Sequence, residues 1–591
     1  MPISTYKQRF IAFQEEANQL KKQIAFVGWL RLLFLVLAGV GYYFSYNSNQ
    51  TLLIAGIATF TLGLFLFLVF KHFQLKAKYT FATTLMSINS REITFLETGN
   101  YPFYNGNDFK VDDHAYLTDL DILGEHSIYQ HLNRTATVTG KRKLAESLLI
   151  PKDQESIHQR QEAITELAEL LEWRQTYNAH AEIGADTPEN LHHISEWQAL
   201  EKLSIFHQIS IWLFPLLGLS SMIALAVTGD GKWFTVGILL FIFNLIIFGS
   251  VAKKILAELG KLERLDKTFD GYGKLLSLIE THPWKSSLLQ QMSDSIRSNK
   301  IPASEKLKQL GKIFRSLESV RNGFAMIHFN GTVFYHVHAY KRLIKWRKQY
   351  SNEIMQWIEV IGDFEELNAF SNFKYNNPNY CFPVLNNEYN IQFTALGHPL
   401  LNSQKRINND IDFSGNPFVI LTGSNMSGKS TFLRTIGIGI VLGNAGSVVA
   451  AKSAHLHPIP LVASMRLSDS LSDSESYFFA EVKRLQFIME TLDQKRCFVL
   501  LDEILRGTNS DDKRNGTIEV VKKIVTKKGI GIIATHDLEV CDTTQLYPDY
   551  LSNNCFEVEI KDNDLYFDYT LRNGICKNKS ATFIMKKLNV I

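Results

Sequence analysis

A chain of 591 residues that is 46% apolar is too long for one ordinary domain and can fill about three or four sizeable cores. Its 62 Lys and Arg nearly cancel its 59 Asp and Glu, which excludes a whole-molecule field as the basis of nucleic-acid contact and leaves only local patches for that purpose. The five cysteines, Cys381, Cys497, Cys541, Cys555 and Cys576, form no CxxC pair; this excludes a disulfide-built fold and fits reduced thiols in a cytoplasmic setting.

Residues 1–23 are polar and mixed in charge and read as a cytoplasmic N-terminal helix, not a cleavable signal. Residues 24–44 are apolar except for Arg31, close enough to one end to snorkel, and residues 51–70 carry no charge. Two more uncharged runs, 209–227 and 233–251, follow much later. Each run has about the length a helix needs to cross a hydrocarbon core, so 24–70 and 209–251 are expected to be two transmembrane helical hairpins. Buried core helices are the competing reading. Lys7, Arg9, Lys21 and Lys22 precede the first hairpin and Lys71, Lys76 and Lys78 follow it; Lys202 precedes the second, and Lys253 and Lys254 follow. The turns between the runs hold only Lys232, so the positive-inside rule predicts a multi-pass protein of the cytoplasmic (inner) membrane with its soluble domains in the cytoplasm.

Residues 71–208 and 252–375 read as two parts of one helical core. Leu144, Leu148, Ile157, Ile164, Leu167 and Leu171 recur at helical spacing, and Asp153 after Pro151 is placed to cap a helix. Asn244, inside the fourth apolar run, is suited to bonding a neighbouring helix. Lys341, Arg342, Lys345, Arg347 and Lys348 surround Trp346 and could meet a phosphate backbone or an anionic bilayer, the simpler reading being a solvated helix face. From 376 to 591 the texture changes to short β-branched runs between Gly- and Asn-rich turns, the mark of an α/β domain. His455 and His457 could face one side of a strand, but no third metal ligand lies nearby.

Within that domain the buried-strand run 418–422 leads straight into Gly423-Ser424-Asn425-Met426-Ser427-Gly428-Lys429-Ser430-Thr431 and then a helical run. This is GxxxxGK[ST] in strand–loop–helix context: glycines let backbone N–H groups curl round phosphate oxygens, Lys429 reaches the β and γ phosphates, and Ser430 ligates Mg²⁺. A second strand, 497–501, ends in Asp502, a carboxylate for the Mg²⁺ shell, and Glu503, placed to polarise an attacking water. A third, 530–534, ends in Thr535 and His536, a suitable γ-phosphate sensor. Polar residues delivered at the C-terminal ends of parallel strands are what an open α/β sheet offers a ligand. ATP hydrolysis with Mg²⁺ is the expected chemistry.

TGSNMSGKSTFLR, SESYFFAEVKR, LLDEILRGTNSDD and ATH, in this order and spacing, resemble the ATPase domain of the MutS family, within the larger ABC-type group. LGHPLLN, with His398-Pro399, sits where that family has a similar His-Pro. Residues 117–167 resemble the family's helical core, and 362–373 the stretch where that core rejoins the ATPase. The resemblance implies nucleotide roles for Ser424, Asn425, Lys429, Ser430 and Thr431, Mg²⁺ and catalytic roles for Asp502 and Glu503, and a switch role for His536. It also implies that Ser476 faces the γ-phosphate of a partner subunit, hence a homodimer, and that the ligand is DNA; capping of a helix is the local alternative for Ser476.

The departures are equally definite. No mismatch-recognition wedge or connector domain fits before Leu117, no clamp is evident, and the second apolar hairpin interrupts the helical core. The expectation is therefore an all-α core carrying two transmembrane hairpins, followed by a P-loop α/β domain, coupling ATP turnover to DNA binding at a lipid bilayer without mismatch reading. The alternative is the ATPase of an ABC-type transport system, against which stand the lack of an LSGGQ-type signature and the separation of the two hairpins.

Overall fold

The computed structural model describes residues 2–47, 51–111, 113–184, 186–197, 200, 202–259, 265–297, 301–424, 426–466, 477–561 and 564–577. The first two helices are α1 (Pro2–Asn47) and α2 (Thr51–Thr98), each unbroken through both its apolar and its polar part. The reason is a shared stripe. Phe13, Ala17, Leu20, Ile24 and Val27 recur at alternating four- and three-residue steps, one heptad after Tyr6, and Ala17, Leu20 and Val27 meet Leu68, Leu75 and Ala82 of α2 in a small core of their own. The seam runs past the ends of the uncharged runs, so the apolar hairpin stands on a two-helix stalk.

The helical half continues with α3 (Ile128–Leu132), α4 (Val138–Leu149), α5 (Gln154–Glu169), α6 (Leu171–Ile183) and α7 (Pro188–Ser195). Their starts are capped by Ser127, Thr137, Asp153 and Thr187, each accepting a backbone N–H from the first turn; only α6, which follows α5 directly, has no side-chain cap. Then come α8 (Ile205–Thr228) and α9 (Lys232–Leu259), turned by Gly229 in the left-handed region, and α10 (Leu265–Thr281), α11 (Ser287–Ile296), α12 (Ala303–Glu318) and α13 (Gly323–Val333). Helices α1, α2, α8 and α9 are long and apolar enough to cross a membrane. The half ends in α14 (Tyr335–Asn376), a 42-residue spine against which α4, α5 and α12 pack.

Buried polar groups pin that spine. Glu365 accepts the Ala136 N–H at 2.8 Å together with the N–H and hydroxyl of Thr137, so a carboxyl sits on the N-terminus of α4. Gly140 is obligatory there because Glu365 occupies the space a Cβ would need. Arg347, from the basic cluster, is not on a solvated face: it is buried, paired with Glu258 at 2.8 Å and stacked on Trp197, while Lys345 and Lys348 are exposed.

The C-terminal half holds two sheets. Strands β1 (Val384–Leu385), β2 (Gln392–Leu396), β3 (Asn409–Asp412) and β5 (Ser453–Leu456) form the smaller, in the order β1-β5-β2-β3. The larger contains β4 (Phe418–Gly423), β6 (Leu461–Ser464), β7 (Phe498–Asp502), β8 (Ile530–Thr535), β9 (Leu551–Lys561) and β10 (Asp564–Asn573), ordered β10-β9-β4-β8-β7-β6 and parallel except for β10. Strands β4, β7 and β8 are buried at every residue, as the continuous apolar runs require of a sheet covered on both faces. The covering helices are α15 (Lys429–Asn444), α16 (Tyr477–Gln494), α17 (Ser510–Thr526) and the short α18 (Thr543–Leu546).

Two polar devices join the halves. Asp119 accepts the N–H groups of Met465 and Arg466 at 2.6 and 2.8 Å and meets Arg484 of α16. Arg160 of α5 donates to the Ala445 carbonyl at 2.7 Å, just past α15, and pairs with Glu366 of α14. Both partners of that pair are buried, and removing either strands a charge at a cost of about 3–5 kcal/mol.

Candidate active site

Gly423, Asp502 and Thr535 end three adjacent parallel strands, so the residues that follow them converge. The Glu503 N–H donates to the Ala534 carbonyl at 2.9 Å, which ties the ends of β7 and β8 together. The backbone is left-handed at Met426, Glu503 and Leu505 (φ 70°, 49° and 61°), a cluster of conformations uncommon outside glycine and frequent where function over-determines geometry. Gly428 is also left-handed, at φ 98°, and a Cβ there would press on the Tyr569 ring.

Lys429 is buried at the start of α15, its ammonium donating to the Gly423 and Ser424 carbonyls at 2.7 and 3.0 Å, with Glu503 at 4.0 Å. Burial lowers its pKa, opposed by Glu503 and Asp502. The Asp502 carboxyl is raised by burial and opposed by a hydrogen bond from Ser430. Glu503 is held down to about 2, first by His536, whose Nδ1 lies 3.6 Å from Oε1, and further by Arg506 and Lys429. Lys429, Ser430, Asp502, Glu503 and His536 thus meet, with Gly423 at the end of β4, Ser424, Ser427 and Gly428 in the loop, and Thr431 in the first turn of α15. The hydroxyls of Ser424 and Ser427 are buried without a partner, which suits a loop built to take an oxygen-rich ligand. Asn425 and Ser476 lie outside the described residues. Met426, in the same loop, is exposed.

Several contributors were not evident in the sequence. Arg506 reaches back to the Asp502 and Glu503 carbonyls at 3.1 and 2.9 Å. Glu481 accepts the Leu505 and Arg506 N–H groups at 2.7 and 3.1 Å, bracing the loop after β7 from α16. Beside the loop opens a cavity of about 430 Å³, lined among others by Leu396, His398, Ile407, Phe432, Phe556 and Tyr569. His398 is driven down to about 4 by burial and by Arg434 and Arg406, so it is a neutral wall of that cavity at pH 7. Phe432 of that lining is on α15, but Phe556 and Tyr569 come from β9 and β10, more than 120 residues beyond the loop, where no local signal marks them. Among the described residues no group of three His, Cys, Asp or Glu side chains gathers at His455 and His457, and His457 bonds the Asn386 carbonyl at 2.8 Å.

Residues 419–590 match MutS domain V. MutS protein homolog 4 of Homo sapiens is 31% identical over 194 residues, 31% of this chain and 20% of that protein. The DNA mismatch repair protein MutS of Thermotoga maritima is 27% identical over 235 residues, 39% of this chain and 29% of that protein. The DNA mismatch repair protein MutS of Petrotoga mobilis is 26% identical over 522 residues, 82% of this chain and 62% of that protein, so the likeness extends through the helical half. These matches support the MutS family, and the chain spans less than two thirds of each of these relatives.

Proposed function

We propose that the chain is a membrane-anchored, MutS-like ATPase that couples ATP binding and hydrolysis to DNA binding. The observation that carries the catalytic part is the meeting of Lys429, the Ser430–Asp502 pair and Glu503 at adjacent strand ends beside an apolar cavity. Phosphate groups would lie in the loop 423–431, where the Ser424 and Ser427 hydroxyls lack partners, and the base would enter the cavity walled by Phe432, Phe556 and Tyr569. Ser430 and Asp502 would hold Mg²⁺, which when bound neutralises charge on the transferring phosphoryl group. Lys429 exchanges loop carbonyls for phosphate oxygens. Glu503, ionised at any physiological pH, is a weak base and acts chiefly by accepting a hydrogen bond from the attacking water; His536 keeps its carboxylate aimed. DNA as the ligand rests on the relatives' names. The bilayer rests on four apolar helices and on the Lys and Arg that flank them. A homodimer with two composite sites rests on the SESYFFAE resemblance alone.

Lys429→Ala should abolish ATP binding, and Glu503→Gln should keep binding while turnover falls by about 10²–10⁴. A steady-state assay with a nucleotide-binding control reads both, and unchanged turnover in Glu503→Gln would remove it from the mechanism. Mixing Lys429→Ala with Ser476→Arg protein should restore one intact site per mixed dimer; no recovery despite mixed dimers would refute the shared site. A cysteine at Asp230 should react with an impermeant reagent from outside the cell and one at Ser295 should not.

A further inference from the structure

The stretch 323–340 contains no Asp, Glu, Lys or Arg over eighteen residues and is bounded by Arg321 on one side and Lys341-Arg342 on the other. It is not one helix. Phe334 is left-handed, with φ 50° and ψ 38°, and there α13 stops and α14 starts. The eleven-residue α13 rises about 16 Å, roughly half of a hydrocarbon core, and the uncharged start of α14, residues 335–340, rises only about 9 Å, so neither uncharged leg of this corner can cross one.

The corner lies along the second apolar hairpin. Arg321 donates to the Leu259 carbonyl at 2.8 Å, at the end of α9, and α13 then follows α9 back to Phe241 and Asn244. The Phe241 ring fills the place a Cβ on Gly331 would need, so the backbones approach closely. Asn244 donates to the Gly331 carbonyl at 2.8 Å. It stands seven residues inside the end of the uncharged run 233–251, about 10 Å along the helix. His338, just past the corner, lies 3.3 Å from the Ile211 carbonyl near the start of α8.

The side chains of Asn330 and His336 at the break are tied inward, while Oδ1 of Asn244 is buried without a partner. Asn330 donates to the Met326 carbonyl at 2.7 Å and accepts the His336 N–H at 3.1 Å, and the His336 ring bonds Asn330 and, at 2.9 Å, Ser319. Meanwhile Phe324, Ile327, Phe329 and Val333 remain 42–69% exposed. A helix break with Asn330 and His336 tied inward, Phe334 buried and Phe324 and Phe329 turned outward suits a medium that offers no hydrogen bonds.

We infer that α13 and the first turns of α14 form a re-entrant corner, dipping into the cytoplasmic leaflet beside α8 and α9, with acyl chains covering Phe324, Ile327, Phe329 and Val333. Basic residues at both ends of the stretch put both ends on the cytoplasmic side. The inference rests on the membrane reading of α8 and α9. The test places single nitroxide labels at Phe324, Ile327, Val333, Leu219 of α8 and Ser295 in full-length protein with its native cysteines replaced, reconstituted in phosphatidylcholine–phosphatidylglycerol vesicles. Relative to Ser295, the α13 positions and Leu219 should show a several-fold higher ratio of oxygen to nickel-chelate collision rates. Nickel access at the α13 positions with Leu219 protected would overturn the corner and leave the hairpin standing; protection from both reagents would show that protein covers it, and also overturn it. Nickel access at Leu219 would instead overturn the membrane reading itself. Should the cysteine-free background fail to fold, a photoreactive amino acid at Phe324 in the native chain should give lipid adducts, and protein adducts alone would refute the proposal.

Discussion

In the first apolar hairpin α1 and α2 pack mainly on each other, around Ala17, Leu20, Val27, Leu68, Leu75 and Ala82. In the second, Ile211, Ile247, Phe248, Val251, Ile255 and Leu259 belong to the main core of the molecule. The first is fastened at its base by polar contacts. The Tyr6 hydroxyl donates to Asn376 at 2.9 Å, Glu92 pairs with buried Arg134 and accepts Asn372 at 3.0 Å, and Arg9 donates to Gln175 at 2.7 Å. One hairpin is a bolted-on stalk and the other is a limb of the helical half. Apolar burial, being non-directional, makes α8 and α9 inseparable from α10–α14, whereas the stalk is positioned by a few directional bonds that specify its angle.

The sharpest way to break this contrast is to cut the two cores. Phe248→Ala should cost about 3–5 kcal/mol and lower the melting temperature of the whole helical half in detergent, while Leu68→Ala should leave that transition in place. Equal shifts would show the stalk to be part of the same cooperative unit. Smaller and pH-dependent is the effect at the stalk's base, where His131, enclosed by Phe95, Tyr101 and Phe373, is pushed down to about 3 by burial. The folded form keeps this ring neutral, so its contribution is complete above the ordinary histidine value and declines as pH falls from there toward 3. The loss is at most about 1.4 kcal/mol per pH unit. Protease release of the stalk should therefore increase between pH 7 and pH 5, and His131→Phe should flatten that rise. Smallest is Tyr6→Phe, about 1 kcal/mol, read as faster amide exchange in α1 with ATPase activity unchanged.

The candidate site was largely legible because its chemistry demands contiguous residues at strand ends: 423–431, Asp502-Glu503 and His536 carry their own context. The apolar runs were legible for a similar reason, since a bilayer-length uncharged stretch is rare. What escaped depends on contacts distant in sequence. Tyr569 and Phe556 reach the loop only because β9 lies next to β4, and Glu481 braces Arg506 only because α16 folds across β7. The corner at 323–340 escaped because three histidines, Asn330 and two glycines dilute its apolar character, although the flanking charges were visible. Arg347 was grouped with a solvated basic face because its partner Glu258 lies on another helix.

The 42 residues of α14 can also be considered as a lever arm. From Glu366, held by Arg160 within reach of the last turn of α15, back to Tyr335 at the corner is thirty-one residues, or about 47 Å of continuous helix. A tilt of about 5° with its fulcrum at Glu366 would sweep the far end through about 4 Å, roughly three quarters of a helical turn. A small rotation at the C-terminal end of α15, the helix that begins at Lys429, would therefore appear as a larger excursion beside α9, with a gain set by helix length.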